Sequence, residues 1–186
     1  MSILDGLPSS PAEWENAMGI MVPRMAEFLE KADLTPRQRS VIEHMRDGMS
    51  LGEILGFKPE HRDALFVQSY RLLEAGEPAK ARDVLTVLYQ LEPLDARTIF
   101  ALAGTYQLQG DYATAGKLYV HFLALDATNG AGHLRLGECF LANQEYESAG
   151  DCFTNARDFA NRSKDADTAA RAEQLLAVVA EKAAGA

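Results

Sequence analysis

The residues of this chain that could ligate a metal or act as nucleophiles are few and scattered. The four histidines are His44, His61, His121 and His133. No two of them have the i, i+4 spacing that places two imidazoles on one face of a zinc-binding helix. The sequence also lacks the motifs of serine hydrolases, P-loop proteins and kinases. We therefore predict a protein that is not an enzyme and that needs no metal and no cofactor.

The net charge and the cysteine content exclude further classes of protein. The chain of 186 residues has 18 Lys and Arg against 27 Asp and Glu, a formal net charge of −9, which argues against direct nucleic-acid binding. Its two cysteines, Cys139 and Cys152, are too few for a disulfide scaffold and are predicted to be reduced core thiols. The first residues resemble no signal peptide, and no apolar run is long enough for membrane insertion. We expect a cytoplasmic protein.

The elements that position the remaining residues are defined by a 34-residue period. Ala81, Ala115 and Ala149 follow one another at this step, and small residues recur 12 positions before each of them. Large residues recur at the same step in three further series: Leu72, Tyr106 and Phe140; Leu85, Tyr119 and Phe153; Leu91, Leu125 and Phe159. Small residues let two helices cross closely, whereas large ones fill the space between hairpins. This pattern resembles the tetratricopeptide repeat.

The resemblance implies an all-α fold, a right-handed superhelix of three helical hairpins. We expect the repeats at 62–95, 96–129 and 130–163, preceded by a helical leader (residues 1–61) and followed by a capping helix with a tail (residues 164–186). In the leader, amphipathic stretches lie near 11–31 and 36–47, and Pro23 predicts a kink or a break in the first. Apolar residues in that stretch indicate dimer contact or packing onto the array: Trp14, Met18, Met21, Met25, Phe28 and Leu29.

Tetratricopeptide arrays bind partners in the concave groove formed by the first helix of each hairpin, and the repeat register predicts which residues line it. Large apolar groups on such a groove usually mark a partner site. The expected peptide-binding residues are Phe66, Tyr70, Leu73, Arg97, Phe100, Gly104, Gln107, Leu134, Glu138 and Leu141. Arg97 is the one cation at these positions, so a clamp for a terminal carboxylate is disfavoured, and an extended apolar segment is the better ligand. Some of these side chains could instead pack against the leader.

One segment of the leader suggests a different function. Residues 34–54 resemble the opening of a LuxR-type helix-turn-helix, whose next helix, after residue 54, would enter the major groove of DNA. The following residues contain Pro59 and few cations, which favours a simple helical leader in which Thr35 is the N-cap and Pro36 the first helical residue. A regulatory protein acting on transcription remains an alternative, as does a generic repeat adaptor in a protein complex.

Residues 48–77, 81–85, 94–104 and 137–141 together resemble the class II chaperones of type III secretion systems, the SycD/LcrH-like family. The resemblance covers about residues 48–163. It implies a bacterial cytoplasmic chaperone that keeps hydrophobic translocator proteins soluble before export, with an extended translocator segment in the groove. The matched pocket positions are Phe66, Tyr70, Leu73, Phe100 and Gly104. The resemblance also leaves a homodimer through the N-terminal helices, and contact with a transcription regulator, open.

Overall fold

The described part of the chain consists of helices and their connections, and no strand occurs in it. The computed structural model describes residues 2–7 and 11–184, apart from the side chains of residues 11, 14, 18 and 184, so the side chains of Trp14 and Met18 lie outside the described residues. The helices are α1 (Pro11–Lys31), α2 (Pro36–Arg46), α3 (Leu51–Ile54), α4 (Pro59–Glu74), α5 (Pro78–Leu91), α6 (Ala96–Leu108), α7 (Tyr112–Leu125), α8 (Gly130–Ala142), α9 (Tyr146–Ser163) and α10 (Ala166–Ala184).

Six of these helices form three successive hairpins, α4–α5, α6–α7 and α8–α9, and each hairpin packs against the next. The small residues of the repeat lie where the two helices of a hairpin cross. Ala81, Ala115 and Ala149 are all fully buried. A Cβ added at Gly137 would lie 2.6 Å from Cε1 of Phe153, so that crossing admits no side chain. The predicted all-α tetratricopeptide superhelix is confirmed.

The large residues of the repeat are buried or partly buried, with one exception. Leu85, Tyr119 and Phe153 are at most 1% exposed. The exception is Leu125, which is 42% exposed at the end of α7, so the core position predicted for it is wrong. Leu125 is the last residue of α7.

The capping helix covers the last repeat, as predicted. α10 packs against both α8 and α9. One face of α10 is buried, formed by Ala169, Ala172, Leu175 and Val179. Burial of this face protects the end of the array from solvent, which is the usual role of a terminal cap in repeat proteins.

The leader differs from its prediction at one point and agrees with it at another. α1 runs without a break through Pro23, so the predicted break is wrong, although proline removes one backbone donor there. Thr35 is the N-cap of α2 as predicted, and its side chain accepts a hydrogen bond from the Gln38 backbone. The helix that follows residues 34–54 is α4, which is the first helix of the first hairpin and packs against α5.

Two attachments tie the leader to the array. At its C-terminal end, the Ser50 hydroxyl donates a hydrogen bond of 2.9 Å to Oε1 of Glu92, which follows α5. At the N-terminal end of the chain, Ile3 is 1% exposed and belongs to the main core of the second and third repeats. The sequence patterns did not indicate this second attachment.

Candidate peptide-binding groove

The first helices of the first two hairpins place aromatic side chains along one surface. Phe66 and Tyr70 come from successive turns of α4, and their ring centroids are 5.1 Å apart. Phe100 of α6 packs edge-on against Phe122, with centroids 5.0 Å apart. Tyr70 remains 48% exposed although it is large and aromatic. These rings form an apolar lining that solvent can reach.

Two cavities lie side by side on this lining. The first has a volume of about 490 Å³, and its walls are Tyr70, Leu73, Phe100, Ala101, Gly104, Gln107, Leu108, Tyr112, Tyr119 and Arg135. The second has a volume of about 520 Å³, and its walls are Phe66, Tyr70, Ala96, Arg97, Phe100, Phe122, Asp126, Asn129 and Ala131. Tyr70 and Phe100 belong to both cavities and form the ridge between them.

Gly104 opens the floor of the first cavity toward a buried tyrosine. An added Cβ at this position would lie 3.7 Å from the Tyr119 hydroxyl, an ordinary contact distance, and Tyr119 is part of the wall of the first cavity. Burial, the largest cause, raises the pKa of Tyr119 well above its ordinary value, so this phenol stays protonated. The hydroxyl donates a hydrogen bond of 2.9 Å to Oε1 of Gln107.

A polar network continues from Gln107 to the third repeat. The Gln107 amide nitrogen donates a hydrogen bond of 3.0 Å to Oε2 of Glu138. The same carboxylate oxygen accepts a 2.9 Å ion pair from Arg135, and Oε1 lies 3.9 Å from Nε of Arg171 on α10. Gln107 and Glu138, which the sequence assigned to ligand contact, thus already bind each other. A ligand could still reach the first cavity beside them.

Arg97 is engaged by carboxylates at the edge of the second cavity. Its guanidinium lies 3.0 Å from Asp63 and 3.5 Å from Asp95, and its carbon is 5.2 Å from the Phe66 ring centroid. The hydrogen bond to Asp63 raises the pKa of Arg97, the two carboxylates add to this effect, and burial opposes it. Because its charge is already balanced, Arg97 is poorly suited to clamp a terminal carboxylate.

The structure brings seven of the predicted groove residues together around these two cavities: Phe66, Tyr70, Leu73, Arg97, Phe100, Gly104 and Gln107. The other three line neither cavity. Leu134 is 7% exposed inside the core, so its predicted place on the open groove is wrong, and Leu141 packs against the edge of the same core. Leu134 belongs to the same buried cluster as Leu175 and Val179 of α10, a helix that also packs against α8.

Several cavity residues were missed by the sequence reasoning. Tyr119 and Phe122 lie on α7, the second helix of a hairpin, and the repeat pattern assigned Tyr119 to the interior. Both side chains are long enough to pass between the first helices and reach the groove floor. The available signal was Gly104, because a missing side chain on a first helix exposes what lies behind it.

Neither a metal-binding group nor a membrane-spanning helix is found among the residues that the structure describes. Within residues 2–7 and 11–184, no three His, Cys, Asp or Glu side chains are placed to hold a metal ion. Of the helices in these ranges, none combines the length and hydropathy needed to cross a bilayer.

Comparison with known proteins identifies similar structures but no close sequence relative. No protein-family model matches the chain, and no curated protein matches it significantly. Among solved structures, a type III secretion system complex from Aeromonas hydrophila has a TM-score of 0.74 and 24% identity, and the match covers 77% of this chain and 97% of that one.

Two further structures contain a bound partner segment. PcrH of Pseudomonas aeruginosa, in complex with the chaperone binding region of PopD, has a TM-score of 0.66 and 24% identity over 68% of this chain and 96% of that one. SycD, a type III secretion chaperone of Yersinia enterocolitica, in complex with a peptide of the translocator YopD, has a TM-score of 0.64 and 21% identity over 67% and 96%. The chain is thus similar in fold to translocator chaperones.

Proposed function

We propose that this protein is a cytoplasmic chaperone of a bacterial type III secretion system. It binds an extended segment of a hydrophobic translocator in the concave groove and keeps the translocator soluble before export. The observation that carries this proposal is the pair of adjacent cavities divided by Tyr70 and Phe100. In this proposal residues 62–163 form the binding array, residues 1–61 the leader and residues 164–186 the cap, and the protein is a binding protein and not an enzyme.

The geometry of the two cavities suits an extended peptide. Side chains on the same side of an extended strand are about 7 Å apart, so two of them can enter neighbouring pockets while the backbone crosses the ridge. Apolar side chains of a translocator would replace water against the exposed Tyr70 ring and the Phe100 ring, a gain of about 25 cal/mol for each Å² of apolar surface covered. The partners named in the complexes of PcrH and SycD, both translocator segments, support this choice of ligand.

The alternatives are less well supported by the described residues. An adaptor that grips the C-terminal carboxylate of a partner needs a free cation, and Arg97 is held by Asp63 and Asp95. A regulator that reads DNA through the leader needs a basic helix after residue 54, and the helix there, α4, packs against α5 within the array of a chain with a formal net charge of −9. Binding to a transcription regulator through the groove or the leader is compatible with the proposal as an additional role.

The groove is tested by removing its aromatic anchors. Phe66→Ala and Tyr70→Ala should each weaken binding of a co-expressed translocator by more than about 1 kcal/mol, because interface energy concentrates in buried aromatic anchors. Titration calorimetry measures the loss, and circular dichroism verifies that the helices survive. The control is Gln90→Ala, an exposed position on α5 outside both cavities, which should leave binding unchanged.

Gly104 provides a matched pair of variants for the same test. Gly104→Glu should abolish binding in the first cavity, because the carboxylate fills it and would be buried unpaired in the complex. Gly104→Ala should have a small effect, since its Cβ makes only an ordinary contact with Tyr119. If the Phe66→Ala/Tyr70→Ala double variant and the Gly104→Glu variant both bind the translocator as tightly as wild type does, the ligand does not occupy this groove and the proposal is wrong.

A further inference from the structure

A short segment near the N-terminus, Ser2–Leu7, packs against residues that are more than 100 positions away in the sequence. The backbone N–H of Ile3 donates a hydrogen bond of 2.7 Å to Oε1 of Glu145, and the Ser2 hydroxyl donates one of 2.6 Å to Oε2 of the same carboxylate. Glu145 is the N-cap residue of α9. One carboxylate therefore recognises both a backbone donor and a side-chain donor of the segment, a pattern that specifies a peptide in a defined register.

The side chain of Ile3 fills a space that exists because α7 has a glycine there. A Cβ added at Gly116 would overlap Cγ2 of Ile3, and no other neighbour of that Cβ lies as close. Glycine in a helix interior is unfavourable by about 1 kcal/mol relative to alanine, so its presence needs a packing reason. The close approach of Ile3 supplies that reason.

The segment has a shape of its own that presents Ile3 to this space. The Asp5 N–H bonds the Ser2 carbonyl at 3.1 Å, the Leu7 N–H bonds the Leu4 carbonyl at 3.0 Å, and Gly6 has a φ of 84°. The ammonium of Lys117 on α7 donates a hydrogen bond of 3.3 Å to the Asp5 carbonyl. The cleft thus contacts the segment at its apolar side chain and at its backbone.

Docking of Ser2–Leu7 closes the leader into a loop. The other end of the leader is attached through Ser50 to Glu92, which lies between the first and second repeats. Between these two anchor points lie α1 and α2, whose 21 and 11 residues correspond to roughly 30 and 16 Å of helix. The leader is therefore a strap that begins at the second and third repeats and ends at the first.

We propose that the cleft formed by Gly116, Lys117 and Glu145 is a second peptide-binding site, separate from the concave groove, whose ligand is the chain's own segment Ser2–Leu7. The site recognises a hydroxyl residue followed by a branched aliphatic residue. Its occupancy fixes the N-terminal end of the leader and so limits where α1 can move. This proposal does not depend on the proposed chaperone function.

Hydrogen–deuterium exchange of the full-length protein tests the site directly. In wild type, the Ile3 amide should exchange more slowly than an unstructured amide by about tenfold or more, because it is buried and hydrogen-bonded. Gly116→Ala should remove this protection by displacing Ile3. The matched control is Gly150→Ala on α9, where an added Cβ has its nearest neighbour at 3.7 Å and should leave the Ile3 amide protected.

A second variant separates the proposal from general misfolding. In an Ile3→Ala background the overlapping methyl group is absent, so Gly116→Ala should have no further effect on exchange of residues 2–7. Amides of α5, which contributes no residue to the cleft, should keep wild-type protection in every variant and report an intact array. Limited trypsin cleavage at Arg24 and Lys31 should be several-fold faster in Gly116→Ala than in Gly150→Ala, because the freed leader opens more often.

The proposal is overturned by any of three results. The first is an unprotected Ile3 amide in wild type. The second is unchanged protection or unchanged cleavage of the leader in Gly116→Ala with an intact α5. The third is protection that disappears on dilution together with a halving of the sedimented mass, since the segment would then come from a second copy.

Discussion

At the scale of single residues, the three hairpin turns each contain a residue with a left-handed backbone conformation, which is glycine in two turns and glutamine in the third. Gly76 and Gly110 adopt φ values of 74° and 80°, in the left-handed region that glycine enters freely. The equivalent residue of the third turn is Gln144, with a φ of 63°. A residue with a Cβ is disfavoured there by about 1 kcal/mol or more. The third hairpin therefore carries backbone strain that the other two avoid.

Replacing Gln144 with glycine should relieve that strain. We expect Gln144→Gly to raise the free energy of unfolding by about 0.5–1 kcal/mol, since the gain in the turn exceeds the entropy that glycine adds to the unfolded chain. Urea denaturation measures the change. The control is Ala75→Gly, at a position with a φ of −75°, which should lower stability. Equal destabilisation by both substitutions would show that Gln144 is not strained.

The reactivity of the two cysteine thiols also depends on their local environment. Burial, the largest cause in both cases, raises the pKa of Cys139 and of Cys152 to about 12. The thiolate is the reactive form, and at pH 8 it should be scarce. We expect alkylation of the folded protein to be at least about a hundredfold slower than that of a free thiol. Mass spectrometry follows the reaction, with the urea-unfolded protein as the fast control, and rapid labelling of either cysteine in the folded chain would contradict the burial.

At the scale of elements, the helix crossings determine whether a hairpin closes. Ala115 is fully buried where α7 meets α6. We expect Ala115→Leu to lower the free energy of unfolding by roughly 1–3 kcal/mol, because the larger side chain forces the two helices apart. Thermal or urea denaturation measures the loss. Ala113→Leu, at an exposed position on the same helix, should change stability little, and similar values for both variants would show that the crossing is not close.

The same crossings explain what the sequence could predict. Ala81, Ala115 and Ala149 recur at one step because each hairpin repeats the same local contact, so a period in the sequence reports a contact in the fold. The period also placed Tyr70 and Phe100 on the groove. It failed for Leu134, which is buried in a cluster that includes residues of the capping helix, an element outside the repeat.

The attachment of the N-terminal segment could not be predicted from the 34-residue period. Ile3 and Glu145 are 142 residues apart, and their contact occurs once in the chain, so no period contains it. Gly116 was a local sign, a glycine inside a helix between Ala115 and Lys117, which are both good helix formers. A glycine of that kind indicates a close approach but not the residue that approaches.

At the scale of the whole molecule, the leader exposes an apolar surface that the array does not cover. Ile20, Met21, Met25 and Phe28 on α1 are each at least 50% exposed. Such patches usually mark an interaction site, and methionine-rich ones adapt readily to a partner. We propose that two copies of the chain associate through this face of α1. A deletion of residues 1–33 would be a poor test, because it would also remove Ile3 from the core.

Point substitutions on α1 test the association without disturbing that anchor. We expect the Met25→Gln/Phe28→Gln variant to sediment as a smaller species than wild type at the same concentration, because the apolar area buried between copies is reduced. Glu30→Gln, an exposed polar position on the same helix, is the control and should not lower the mass.

Each copy has a formal charge of −9, so copies repel one another, and added salt screens that repulsion. The wild-type association should therefore strengthen between low and physiological ionic strength. Association that weakens with salt, or that survives the double substitution, would place the contact at ion pairs or on another surface.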